Sequence, residues 1–154
     1  MTRWQIKGSI HDAYELLSNP ARYPTWWKGV PLSAQELDEE KEGGPKPLRL
    51  EMRGWLPYTL RWELINPQFD RPHQIISDSR GDFVGRGVWT LKQDGPYVLI
   101  SFEWRVSVQK PFLRYFSFLL RPLFIWNHNW VMEKWKKSLE LELKKGIKNK
   151  RLSL

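Results

Sequence analysis

Apolar and polar residues alternate over several short stretches before a longer period takes over near the C-terminal end. Arg3 to Lys7 alternate about Trp4 and Ile6, which predicts a short strand. Residues 11–18 predict a short helix, stopped by Asn19-Pro20. Tyr23-Pro24 leads into Trp26-Trp27, and Gly29 and Pro31 punctuate the exit toward a strand near 31–38. After a turn at Gly43-Gly44-Pro45, Leu48, Leu50 and Met52 alternate with Arg49, Glu51 and Arg53 as a half-buried strand, and Gly54 to Pro57 form a turn. Tyr58, Leu60, Trp62 and Leu64 then face one way and Thr59, Arg61 and Glu63 the other, until Asn66-Pro67 ends that strand. Arg71-Pro72 opens the next, near 73–80. Gly81-Asp82 is a turn, and residues 83–92 form a strand interrupted by Gly85 and Gly87. Asp94-Gly95-Pro96 marks a hairpin into a long strand with Val98, Ile100, Phe102, Trp104 and Val106 on one face.

From Pro111 the period becomes helical, through Leu113, Phe116, Leu120, Leu123, Phe124, Trp130 and Val131. Pro122 is expected to kink or divide this helix, and Gly146 to end it. The result is an α+β chain: strand, short helix, about six antiparallel strands and one long terminal helix. A sheet with one apolar face must be covered, and that helix is the only element large enough. Gly85 and Gly87 predict a bulge or sharp bend, and a curved sheet wrapped on a helix leaves a cavity between them.

Composition sharpens this picture. The 154 residues suit one domain. Cysteine is absent, which excludes disulfides, thiolate metal sites and a cysteine nucleophile. The formal charge is +8, but five of the 25 Lys and Arg fall in the last eleven residues, leaving +3 for residues 1–143. Residues 1–143 therefore read as the domain and 144–154 as a basic tail. Such a tail can touch an anionic membrane surface, or it is a solvated helix end whose lysines suit the helix dipole. The aromatics alternate with mixed polar residues and share a face with aliphatics, so nucleic-acid binding is not expected. The stretch Pro111–Trp126 is too short and too charged for a clean membrane span, no leader pattern is visible, and a cytoplasmic location is the default expectation.

Ten tryptophans are the outlier. Trp62, Trp89 and Trp104 fall on the apolar sides of their strands with Tyr58. Trp26, Trp27 and Trp55 lie in loops that could rim an opening, and Trp126 and Trp130 are four apart on the helix. Flat apolar walls with a few polar points suit a ligand cavity; the alternative is a core that these side chains fill completely.

Several stretches together resemble bacterial members of the START-like SRPBCC superfamily (polyketide cyclase/dehydrase and lipid transport proteins). They are Trp4-Gln5-Ile6, Ala21-Arg22-Tyr23-Pro24 with Trp26-Trp27, and Leu56-Pro57-Tyr58 with Arg61-Trp62. Gly81-Asp82-Phe83-Val84-Gly85-Arg86-Gly87 with Trp89, and Trp126-Asn127-His128 with Trp130-Val131-Met132, complete the set. The resemblance covers essentially residues 1–143. It implies a helix-grip fold, a curved antiparallel sheet of about six to seven strands around a long C-terminal helix with a hydrophobic pocket between them. It does not imply one activity.

The expected ligand-binding set is Trp26, Trp27, Trp55, Tyr58, Trp62, Phe83, Arg86, Trp89, Trp104, Asn127, His128 and Trp130. His128 and Asp82 are the candidates for acid–base chemistry. The simpler accounts are a His128 satisfied by Asn127 or a backbone group, an Asp82 that serves a turn, and an Arg86 in a cross-strand salt bridge. Strand alternation also sets Arg86 opposite Trp89, so without a bulge only one of them faces inward. No nucleotide, hydrolase or metal motif appears, and no cofactor or metal is expected. The leading expectation is a binding or carrier protein for a hydrophobic small molecule such as a lipid, isoprenoid or polyketide-like ring. The alternatives are a cyclase/dehydratase-type enzyme using the same cavity, with Tyr58 also assisting, and an interaction domain with a filled core.

Overall fold

The computed structural model describes residues 1–30, 32–38, 46–54, 59–108 and 117–152, with backbone alone at 108, 117–121, 123–124 and 147–152. Expectations that fall on the Gly43–Pro45 turn, on 55–58 (including Trp55 and Tyr58) and on 111–116 lie outside the described residues. The elements are β1 (Thr2–Lys7), α1 (Ile10–Leu17), a 3-10 turn (Pro20–Arg22), α2 (Tyr23–Trp26), β2 (Leu32–Glu36), β3 (Leu48–Arg53), β4 (Thr59–Asp70), β5 (Gln74–Gly81), β6 (Phe83–Asp94), β7 (Tyr97–Val108) and α3 (Ser117–Leu152). The strands make one antiparallel sheet in the order β1-β7-β6-β5-β4-β3-β2.

Period-two alternation builds the inner face. Leu48, Leu50 and Met52 of β3 meet Leu64, Trp62 and Leu60 of β4, and Trp89 of β6 pairs Ile75 on one side and Phe102 on the other. The opposite face carries the charges. Glu63 accepts from Arg49 at 2.8 Å and Arg80 at 2.7 Å, and these hydrogen bonds hold its carboxyl below the usual range. Arg86 pairs with Asp78 at 2.7 Å, so Arg86 points away from the inner face while Trp89 points into it.

Ser9 caps α1, its Oγ accepting from the His11 N–H, and Ile10, Ala13, Tyr14 and Leu17 form the buried stripe. The Tyr23 hydroxyl donates to Leu17 O at 2.6 Å, fastening α2 to the end of α1, and burial pushes its pKa up. On α3, Asn127, Val131, Trp135, Leu139 and Leu143 recur every four residues and face the sheet. Ser138 on the same helix accepts from the Lys28 N–H at 2.9 Å.

Three local expectations are corrected, and of the two outcomes expected at Pro122 division does not occur. Asn66-Pro67 does not end β4. It forms a bulge, shown by the register step between Ile65 and Gln68 and by φ 50° at Asn66. Asn tolerates that conformation, and Pro needs no ladder donor there. Of the bulge or sharp bend expected at Gly85 and Gly87, the bulge is absent, because β6 pairs both neighbours without a shift. Glycine is needed for close approach instead: a Cβ on Gly85 would overlap Arg105 O and sit 2.8 Å from Val106 Cα. Pro122 falls in the second turn of α3 without dividing it, at the cost of one hydrogen bond. Gly146 does not end the helix, which runs on to Leu152.

The two glycines make opposite predictions. Gly85→Ala has to displace backbone and should lower unfolding stability by about 2 kcal/mol or more. Gly146→Ala, with nothing within 4 Å of the new carbon, should raise it by about 0.5–1 kcal/mol. Urea denaturation of both variants checks the pair, and a neutral Gly85→Ala would refute the close approach.

Candidate functional site

Between the sheet and α3 lies a cavity of about 270 Å³. Its origin is in the sequence of the two middle strands. Ser77 and Ser79 of β5 and Gly87 of β6 occupy successive inward positions, so the sheet is thin where its neighbours are bulky. Ser77 pairs with Gly87 and Gly87 with Trp104; the missing side chain at Gly87 is what admits the Phe102 and Trp104 rings, 3.3 and 3.6 Å from where its Cβ would stand. The walls are Leu50, Met52 and Trp62 on one side, Trp89, Phe102 and Trp104 on the other, and Val131, Met132 and Trp135 from α3 above. Exposed lining residues collect at one end: Asn19 and Ala21, Glu36, Lys46, and Pro67 and Phe69 past the β4 bulge. That end is the mouth.

Trp135 is the hub of the wall. It stacks on Trp27 with ring centres 4.3 Å apart and meets Trp89 edge-on at 4.8 Å. Tyr23 lies 5.4 Å from it and Trp4 6.0 Å. The indole N–H groups of Trp26, Trp27 and Trp135 are buried without an acceptor among the described residues, so packing alone positions these rings.

The structure distributes the expected site residues as follows. Trp27, Trp62, Trp89, Trp104 and His128 line the cavity. Phe83 lies among the rings of Trp62 (5.6 Å) and Trp104 (4.4 Å) and supports them. Trp26 does not rim an opening; it is buried against Tyr23 at 5.4 Å, because the segment coils into α2. Asn127 is buried beside Gly54, its Oδ1 2.5 Å from where a Cβ would stand. Trp126 is 47% exposed, since the sheet-facing stripe of α3 runs through Asn127 and Val131 one position away. Trp130 is half-buried, with the Lys134 ammonium 5.6 Å from its ring centre. Arg86 is on the outer face. Asp82 serves the β5–β6 turn: its Oδ2 accepts from the Arg61 N–H and its own N–H donates to Arg61 O, both at 2.9 Å. Residues that the sequence reading missed as wall are Trp135, Phe102, Met132 and the β5 serines. The serines carried a signal, being small polar residues at inward positions of a strand.

His128 stacks on Trp104 at 6.4 Å and 21°, and no hydrogen bond joins it to Asn127 or to backbone among the described residues. Burial, with a lesser push from the positive chain N-terminus, holds its pKa below the ordinary 6.5.

Among solved structures similar to this one, a protein of Thermus thermophilus aligns with a TM-score of 0.71 at 20% identity, covering 94% of this chain and 96% of that one. A START superfamily protein of Mycobacterium smegmatis gives 0.69 at 17%, covering 94% and 95%. The fold is START-like. The Zhui aromatase/cyclase of a Streptomyces species shares this START-like fold too, with a TM-score of 0.68 at 10% identity over 95% and 93% of the two chains. The sequence matches no protein-family model and no curated protein. The START-like architecture places a seven-stranded sheet around α3, as the element order predicts. No helix among the described residues is long and apolar enough to cross a membrane, and no cluster of metal-ligating side chains occurs among them.

The shifted imidazole gives a prediction with a definite sign. A histidine whose charged form is penalised by folding costs no stability above about pH 6.5 and removes stability as pH falls through that value. In an NMR titration the His128 midpoint should lie below 6.5, and Trp104→Ala, which opens the ring to water, should move it upward. A midpoint at or above 6.5 in the unaltered protein would contradict the burial.

Proposed function

We propose that the protein binds and carries a hydrophobic small molecule in the cavity between the sheet and α3. The observation that supports this most is the pairing of small inward residues with an aromatic wall: Ser77, Ser79 and Gly87 leave about 270 Å³ beside Trp27, Trp62, Trp89, Trp104 and Trp135. Ligand pockets commonly span about 300–1,000 Å³ with mostly apolar walls and a few polar groups, so this one suits a compact ring system. Apolar surface removed from water contributes roughly 25 cal/mol per Å² before the costs of association. The mouth beside Phe69 gives such a ligand a route in.

The aromatase/cyclase among the structural relatives favours a second reading, in which His128 moves a proton on the bound molecule. Proton transfer needs a group within hydrogen-bond reach of the reacting atom; His128 lines the described cavity wall, whereas the hydroxyl of Tyr23, also on that wall, is committed to Leu17 O. In that case His128→Gln abolishes turnover and leaves ligand affinity nearly intact. As an accessory to carriage, the basic end of α3, which continues from Leu143 to Leu152, would touch anionic lipid. Co-sedimentation with phosphatidylserine vesicles, lost when the chain is cut after Leu143, tests that contact.

The carrier reading is checked by thermal shift against a panel of lipids, isoprenoids and polycyclic phenols. A ligand present at 100 times its Kd stabilises by about 2.7 kcal/mol, which raises Tm by roughly 5–10 °C for a domain of this size. Ser77→Leu with Ser79→Leu fills the floor and should abolish the shift while the protein stays folded. No shift with any member of the panel, or an equal shift in the filled variant, would overturn the proposal.

A further inference from the structure

We infer that the cavity selects an uncharged ligand and meets its oxygen at the Ser77 hydroxyl and the His128 imidazole, which both line the space. The inference rests on the ligand-binding reading above and specifies what that ligand is. Ser77, Gly87 and Trp104 form one inward row across β5, β6 and β7. Neighbouring strands stand about 4.8 Å apart, so roughly 10 Å separates the strands of Ser77 and Trp104; the Phe102 and Trp104 rings close over Gly87, 3.3 and 3.6 Å from where its Cβ would stand, and leave Ser77 facing the cavity beside them. His128 stacks on Trp104 at 6.4 Å and lines the same space from the helix side. Ser79, one inward position along, already has its Oγ 3.4 Å from Gly85 O. Neither the Ser77 hydroxyl nor the His128 imidazole makes a hydrogen bond among the described residues. Two unpaired polar groups in an otherwise apolar enclosure are a recognition point, because each regains a partner only from what enters. A hydroxyl and a neutral imidazole each offer a donor and an acceptor, which matches an alcohol, a phenol or a ketone.

The charges decide against an anion. Alternation sends Arg49, Arg61, Arg80, Arg86 and Arg105 to the outer face, each within salt-bridge distance of a carboxylate. Among the described cavity residues the ionic ones are Glu36 and Lys46, both exposed at the mouth. A carboxylate or phosphate carried to Ser77 would leave water without a cationic side chain among the described cavity residues beyond the mouth, and burial holds His128 toward its neutral form. A free fatty acid therefore fits the apolar walls but not the polar point.

Isothermal titration calorimetry at neutral pH with naphthalene, 2-naphthol and 2-naphthoate tests this. The expected order is 2-naphthol tightest, naphthalene weaker by about three- to tenfold, and 2-naphthoate weaker than 2-naphthol by more than about tenfold. Ser77→Ala and, separately, His128→Phe should each shrink the advantage of 2-naphthol over naphthalene. The inference is overturned if 2-naphthoate binds as tightly as 2-naphthol, or if that advantage survives both substitutions. If naphthalene and 2-naphthol both fail to bind, the ligand-binding reading falls as well, and the inference with it.

Discussion

The stacking of Trp135 against the aromatic floor is the contact on which the rest depends. One indole on α3 gathers Trp4 of β1, Trp89 of β6, Phe102 of β7 and both Tyr23 and Trp27 of the α2 segment. Burying a ring of this kind removes about 150–250 Å² from water, roughly 4–6 kcal/mol at 25 cal/mol per Å². That exceeds the about 1–3 kcal/mol cost of its unpaired N–H. So wide a side chain also acts as a spacer. It props the helix at a fixed height over the sheet, and the thin inner row beside it becomes empty volume rather than a collapsed core.

Much of this was legible in the chain. Period-two alternation at Leu48–Arg53, Leu60–Leu64 and Val98–Val106 gave both the strands and their inward faces, because a half-buried antiparallel strand leaves no other arrangement of apolar side chains. Trp62, Trp89 and Trp104 line the cavity for the same reason. The misreadings came from residues whose local preference has two outcomes. Asn66-Pro67 is compatible with a strand end or a bulge, and only pairing with β5 decides. Gly85 and Gly87 relieve crowding from β7, which lies far away in sequence and leaves no local trace. Trp126 and Trp130 were placed on the right helix but off the stripe that faces the sheet, since adjacent residues on a helix differ by about 100° and several registers fit an apolar segment.

The outer and inner faces divide the work. Guanidinium–carboxylate pairs lie on the outer face and leave the cavity wall free of their charges. Inside, aromatic rings line the cavity and a small number of hydroxyl and imidazole groups interrupt them. The proposed binding needs no more than this. Chemistry needs a proton donor or acceptor matched to a reacting atom, and Asp82, committed to the turn with Arg61, is not placed to assist His128.

Whether the space is a binding site or an unfilled packing defect is decided most directly by native mass spectrometry of the protein purified from the cells that make it. The account predicts a reproducible adduct of defined mass on the unaltered chain, released on denaturation and missing from a folded variant whose floor is filled at Ser77 and Ser79. An adduct-free spectrum, or the same adduct on the filled variant, would contradict it.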